Sequence, residues 1–160
     1  MRRVAPLLVL LLSACSQAPP GPPVSQAADL ETAAIERGLV RDPASVSLDG
    51  LYARDTDRLC IVGERIGVSV DYRDGVHCSG AGRVERSDER LRVDLGRGCS
   101  FEAHYDVDRI VFPAVTPEQC RRMCNGRASF AALEVSRLSS SIAEAATMRD
   151  ARGRLPCRTG

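Results

Sequence analysis

From Ser47 to Pro113, apolar and polar positions alternate in short runs, separated every eight to twelve residues by turn-forming residues, which predicts an antiparallel meander. Successive side chains on a strand point to opposite faces, so neighbouring runs can be registered by asking which turn length places both apolar sets on one face. Ile66, Val68, Val70 and Tyr72 share a face of one run, and Val76, Cys78, Gly80, Gly82 and Val84 share a face of the next. A two-residue Asp74-Gly75 turn would send these sets to opposite faces. A three-residue loop, Arg73-Asp74-Gly75 with Gly75 left-handed, pairs Tyr72 with Val76 and Val70 with Cys78. The same reasoning sets a two-residue loop at Ser87-Asp88, opposing Val84 to Leu91 and Gly82 to Val93. A three-residue loop at Gly96-Arg97-Gly98 opposes Leu95 to Cys99 and Val93 to Phe101. A two-residue loop at Val107-Asp108 opposes Tyr105 to Ile110 and Ala103 to Phe112.

Two further strands, Leu48 to Arg54 and Arg58 to Val62, flank the polar turn Asp55-Thr56-Asp57, and Ser129 to Leu138 reads as another. A short helix is predicted over Asp29 to Arg37, with Asp29 as cap and Gly38 as stop. Thr116-Pro117-Glu118 opens a second helix that carries Cys120 and Cys124 on one face and ends near Asn125-Gly126. Ser140-Ser141-Ile142 leads into a terminal helix from Ala143 to Arg149. The expected fold is mainly β with minor α: about seven to eight antiparallel strands curled into a small barrel or tightly bent sheet, which limits exposed edges.

The first residues follow a different pattern. Arg2 and Arg3 precede a compact apolar run, Leu7 to Leu12, too short for the roughly 20 apolar residues a membrane-crossing helix needs. The run ends in Leu12-Ser13-Ala14-Cys15, which resembles the lipobox of bacterial lipoproteins. That resemblance implies a signal peptide over residues 1–14 and lipid attachment at Cys15, which becomes the mature first residue, bound to the bilayer through its acyl chains. Ser16, where the family often has Asp for inner-membrane retention, points to the outer membrane, with the domain facing the periplasm. Residues 15–28 include QAPPGPPVSQAA, a Pro-rich composition that reads as a tether reaching up to roughly 40 Å. A single domain over residues 29–160 remains.

The formal charge of +1 includes Arg2 and Arg3, leaving the mature chain close to neutral with both signs interspersed. That argues against nucleic acid as a partner. All 22 basic residues are arginine. A GC-rich genome accounts for such a skew, and composition alone gives no ground for phosphate binding. Beyond Cys15, six cysteines remain: Cys60, Cys78, Cys99, Cys120, Cys124 and Cys157. Their even number in an oxidising compartment suggests three disulfides. In the register above, Cys78 and Cys99 point inward on strands flanking Leu91 to Leu95, so the expected pairing is Cys78 with Cys99. The other four form two more bonds, Cys120 and Cys124 each binding elsewhere, the tail at Cys157 included. Cys120 to Cys124 is CxxxC without a nearby histidine, which does not meet zinc spacing. No metal or cofactor is expected.

Catalytic candidates are few. His77 and His104, the only histidines, alternate outward. Ser139-Ser140-Ser141 precedes a helix, where serine ordinarily caps. Asp55 with Asp57, and Asp106 with Asp108, sit in turns where Asp is favoured for backbone reasons. Gly80 and Gly82 leave space on the inward face, read as room for bulky neighbours such as Phe101 or Phe112, or as a bend, ahead of a cavity for a small apolar ligand. The expected function is therefore a non-enzymatic binding or accessory lipoprotein of the cell envelope, whose ligand is an envelope protein, a glycan or a small apolar molecule. The alternative is an envelope hydrolase or peptidoglycan-acting enzyme using His77 or His104. In architecture such a protein is similar to the membrane-bound lysozyme inhibitors. Ser79-Gly80-Ala81-Gly82 echoes their glycine-bearing loop, but Arg83 and Val84 replace its tyrosine-bearing continuation, and no residue role or activity transfers.

Overall fold

The computed structural model describes residues 25–39 and 46–158. The expected signal peptide, Cys15 and most of the expected tether lie outside them. Helix α1, Ser25–Glu36, starts four residues before Asp29, inside the stretch read as tether. Its alanines favour helix. It ends as expected at Gly38, whose φ of +66° suits glycine, with Gly38 N donating to Ile35 O at 2.9 Å and Leu39 N to Ala34 O at 2.9 Å.

The rest of the described chain forms a closed antiparallel barrel in which every strand pairs with its sequence neighbours and the last returns to the first. The strands are β1 Gly50–Arg54, β2 Asp57–Val62, β3 Arg65–Asp71, β4 His77–Ser87, β5 Arg90–Asp94, β6 Ser100–Asp106, β7 Arg109–Val111 and β8 Glu134–Ser139. Three of the four hairpin registers stand as read from the sequence. Val70 opposes Cys78, Val93 opposes Phe101 and Tyr105 opposes Ile110. The β4–β5 hairpin differs. Val84 opposes Val93 and Arg86 opposes Leu91, with the turn at Asp88-Glu89 and Asp88 left-handed at φ +56°. A slip of two residues keeps every side chain on its face, so alternation alone cannot detect it.

Other boundaries shift slightly. β1 begins at Gly50 rather than Leu48, β2 at Asp57 rather than Arg58, and β8 only at Glu134. The expected helix after Thr116 is a 3-10 turn, Glu118–Met123. The terminal helix α2, Ile142–Thr147, is capped by Ser141 Oγ, which accepts from Glu144 N at 3.3 Å.

The inward side chains of all eight strands, with Leu95, Phe112, Phe130 and Leu133 from the connections, fill the barrel. An eight-strand barrel is just wide enough for side chains to occupy its interior. Gly80 and Gly82 serve that filling. A Cβ on Gly80 would lie 2.8 Å from Leu95 Cδ1 and 3.3 Å from Phe130 Cζ, and one on Gly82 would collide with the Asp94 carbonyl oxygen. Bulky neighbours do occupy the space, but they are Leu95 and Phe130, while Phe101 and Phe112 stack edge to face at 4.7 Å elsewhere in the core.

A second, smaller cluster lies outside the barrel, where α2 and the C-terminal segment pack Ala145, Met148 and Cys157 over Cys60 and Val62. The disulfides are Cys60–Cys157, Cys78–Cys124 and Cys99–Cys120. The expected Cys78–Cys99 bond is therefore absent. β5 pairs with β4 only from Arg83 onward, and the segment after the 3-10 turn comes alongside the vacated start of β4, bridging Cys124 to Cys78 and leaving Cys120 beside Cys99.

Gly82→Ala should destabilise the fold by about 2 to 3 kcal/mol, because its new methyl meets backbone. Gly80→Ala, which meets only side-chain ends, Leu95 Cδ1 and Phe130 Cζ, should cost about 1 kcal/mol or less. Denaturant midpoints of the two variants check the order, and a reversal would contradict this packing.

Candidate functional site

The sequence-predicted catalytic candidates are not gathered. His77 is half-buried at the start of β4, its Nδ1 2.9 Å from Gly75 O, and its backbone N donates to Asn125 Oδ1 at 2.6 Å. His104 is exposed on β6 and its ring has no hydrogen-bond partner. Ser139 Oγ accepts from Ser141 N at 3.1 Å, continuing the capping role of that cluster. Asp106 pairs with Arg109 at 3.5 Å. Among the described residues, no group of three or more His, Cys, Asp or Glu side chains is placed to hold a metal ion.

Asp57 accepts from Asp71 N at 3.1 Å, and burial holds its carboxyl above the usual carboxylate range, partly offset by that hydrogen bond. Asp108 joins a polar seam at one end of the barrel. Arg137, on β8, has a side chain only 12% exposed, and its Nε donates to Asp108 Oδ1 at 3.0 Å. Its two terminal nitrogens donate to Asp49 O, Ser47 O and the Tyr105 hydroxyl, each at 2.8 Å. The guanidinium also stacks over Tyr52 at 4.9 Å from the ring centre. Burial raises the Tyr52 phenol well above its ordinary value, against the opposing pull of Arg137. It therefore stays protonated and donates to Leu48 O at 2.8 Å. Every donor here has a partner, which marks the seam as structural.

An open place is found along β4. Val84 N bonds Glu64 O on the β2–β3 turn, so the even-numbered residues of β4 face β3 and the odd-numbered ones turn their backbone groups away. Asn125 meets His77 on that side, and β5 meets Arg83. Among the described residues, the Cys78–Cys124 bridge sets Met123 against Ser79, and nothing meets the Ala81 backbone groups beyond it. Two recesses adjoin this gap and share Ala81. The larger, about 630 Å³, is lined by Glu64, Arg65, Arg83 and Pro156 among others. The smaller, about 180 Å³, is lined by Ser79, Gly80, Ala81, Leu95 and Met123 together with Arg97, Arg122, Arg152 and Arg154.

Each arginine of the smaller recess is set by a fixed turn. Arg97 is left-handed at the tip of the β5–β6 hairpin, where Gly96 N donates to Asp94 Oδ1 at 2.8 Å. Arg122 rides on the 3-10 turn between Cys120 and Cys124, both disulfide-bonded to the barrel. Arg152 and Arg154 lie on a loop built around Asp150, whose carboxylate is 1% exposed and accepts from Arg152 N, Arg154 N and Arg154 Nε at 2.8 to 2.9 Å. Ala151 N donates to Ser69 Oγ at 3.0 Å, tying the loop to β3. Ser79 opposes Ser69 in the β3–β4 register, yet among the described residues its hydroxyl, on a residue 4% exposed, has no partner.

Sequence reasoning missed this recess. Its arginines come from three separated segments with no common motif, and only the unusual supply of arginine hinted at it. Compared with protein-family models, curated proteins and solved structures, the chain gave no match in any of the three.

Replacing Asp57 by Asn keeps the acceptor for Asp71 N but removes a charge that burial disfavours. A carboxyl with a raised folded-state pKa binds more protons in the folded than in the unfolded protein, so stability falls as pH rises through that window. Asp57→Asn should therefore be more stable than wild type at pH 7, with the advantage shrinking as pH falls below the Asp57 titration. Thermal melts from pH 3 to 7 test this, and an advantage that grows on acidification would refute it.

Proposed function

We propose that the chain is a lipid-anchored, periplasm-facing protein of the cell envelope that works by binding, with the uncovered stretch of β4 as its recognition element. The observation that carries this reading is the open edge at Ala81, flanked by two recesses beside a barrel whose interior is filled. Buried polar groups are ordinarily partnered, so an unpaired edge and hydroxyl at a concave place are what a ligand would satisfy. Anchoring rests on Leu12-Ser13-Ala14-Cys15 and its likeness to a lipobox. Two or three acyl chains hold a protein firmly where one binds reversibly. Outer-membrane placement rests on Ser16 in the position after the lipidated cysteine.

Metabolic labelling with a clickable fatty acid should mark the protein, and Cys15→Ser should abolish the mark and release the chain to the aqueous phase of a detergent partition. A photocrosslinking residue at Ala81 should give an adduct by mass, whereas one at exposed Glu102 on β6 should not. Unlabelled wild type removes the anchor, and equal adducts from both positions, or none from Ala81, remove the binding element.

A further inference from the structure

We propose that the arginine-lined recess beside β4 is a site for a phosphoryl group, deepening the binding reading above and resting on it. Among the described residues, Arg97, Arg122 and Arg152 make no ion pair and no side-chain hydrogen bond, whereas Arg154 is neutralised by Asp150. The carboxylates nearest in the chain to these arginines are already engaged, Asp150 by its own loop, Asp94 by Gly96 N and Glu118 by Arg121. Three positive charges around one recess are thus left without a counter-charge.

The unpartnered Ser79 hydroxyl is a second, independent indication. It is buried, it lines the recess, and its register neighbour Ser69 shows what a satisfied hydroxyl on this sheet looks like. Among the described residues, the backbone N–H of Ala81 is unmet and adds a neutral donor at the same edge.

The chemistry of the donors selects the anion. A carboxylate brings one charge and two oxygens, which a single guanidinium fork can satisfy. Three free guanidiniums, a hydroxyl and a strand-edge amide match a dianion with three or more acceptor oxygens. The volume of about 180 Å³ is below that of sites that enclose whole drug-sized ligands, so the recess takes a compact headgroup and leaves the remainder of the molecule outside. A free phosphate, a small phosphomonoester and the headgroup of a phosphatidate lipid share this chemistry.

The test uses the full-length acylated protein in detergent micelles, titrated calorimetrically with inorganic phosphate and, in parallel, with acetate. Phosphate should bind more tightly than acetate. Arg122→Ala combined with Arg152→Ala should weaken phosphate at least tenfold with little change in melting temperature. Ser79→Ala should weaken it about threefold while leaving the phosphate-free protein equally or more stable, because the unpartnered hydroxyl is gone. No phosphate binding at millimolar concentration, acetate binding as tightly, or unchanged affinity in the arginine variant would each overturn the proposal. Competition by glycerol 3-phosphate alone assigns a soluble source, and competition by phosphatidic acid vesicles assigns a lipid one. An adduct at Ala81 without phosphate binding would remove the phosphoryl assignment and leave the binding reading intact.

Discussion

The interior of this barrel has room for side chains and nothing else, and that constraint shapes everything outside it. Eight short strands place alternate residues inward, and glycine at two points of β4 admits Leu95 and Phe130 from neighbouring segments. Any ligand would therefore have to meet the outer surface. The unequal partnering of β4 decides where. Its first half pairs with β3 on one side only, while its second half pairs with β3 at Arg83 and with β5 beyond. The chain after the 3-10 turn covers the start of the gap and leaves the middle uncovered.

Arginine serves two opposite purposes on the two sides of this molecule. At the seam between β8 and β1, Arg137 is almost enclosed, yet a carboxylate, two carbonyl oxygens, a phenol and an aromatic face meet it. A charge so provided for holds strands together. Beside β4, Arg97, Arg122 and Arg152 border one recess and, among the described residues, make no ion pair, on turns that are themselves tied down. The first arrangement spends its donors on the fold, and the second keeps them for something else. Residue counts cannot separate these roles, since the same side chain supplies both.

Much of the architecture was legible from alternation alone, because the period of two and the turn residues jointly fix which face is buried. Val70 with Cys78 and Tyr105 with Ile110 were within reach for that reason, even though Val107 makes an unusual turn residue at φ +46°. What alternation cannot see is displacement by an even number of residues, and there the β4–β5 pairing moved. Nor can it see the return of a non-strand segment to a strand edge, which is why Cys78 found Cys124 rather than Cys99. The recess was invisible for the same physical cause: its parts are joined by tertiary contacts across long stretches of sequence. Ser79 could be named in the sequence only as part of a glycine-bearing run, because nothing local foretells a buried hydroxyl left without a partner.

The three cystines enclose one another like brackets: Cys60–Cys157 surrounds Cys78–Cys124, which surrounds Cys99–Cys120. An oxidant joining thiols in the order of synthesis would link Cys60 to Cys78 first, a bond the native molecule does not contain. A chain so oxidised reaches the native pairing only through thiolate exchange, and without an isomerase it stays mispaired. Closure from the innermost bracket outward avoids that error, since each bond shortens the path that the next must span.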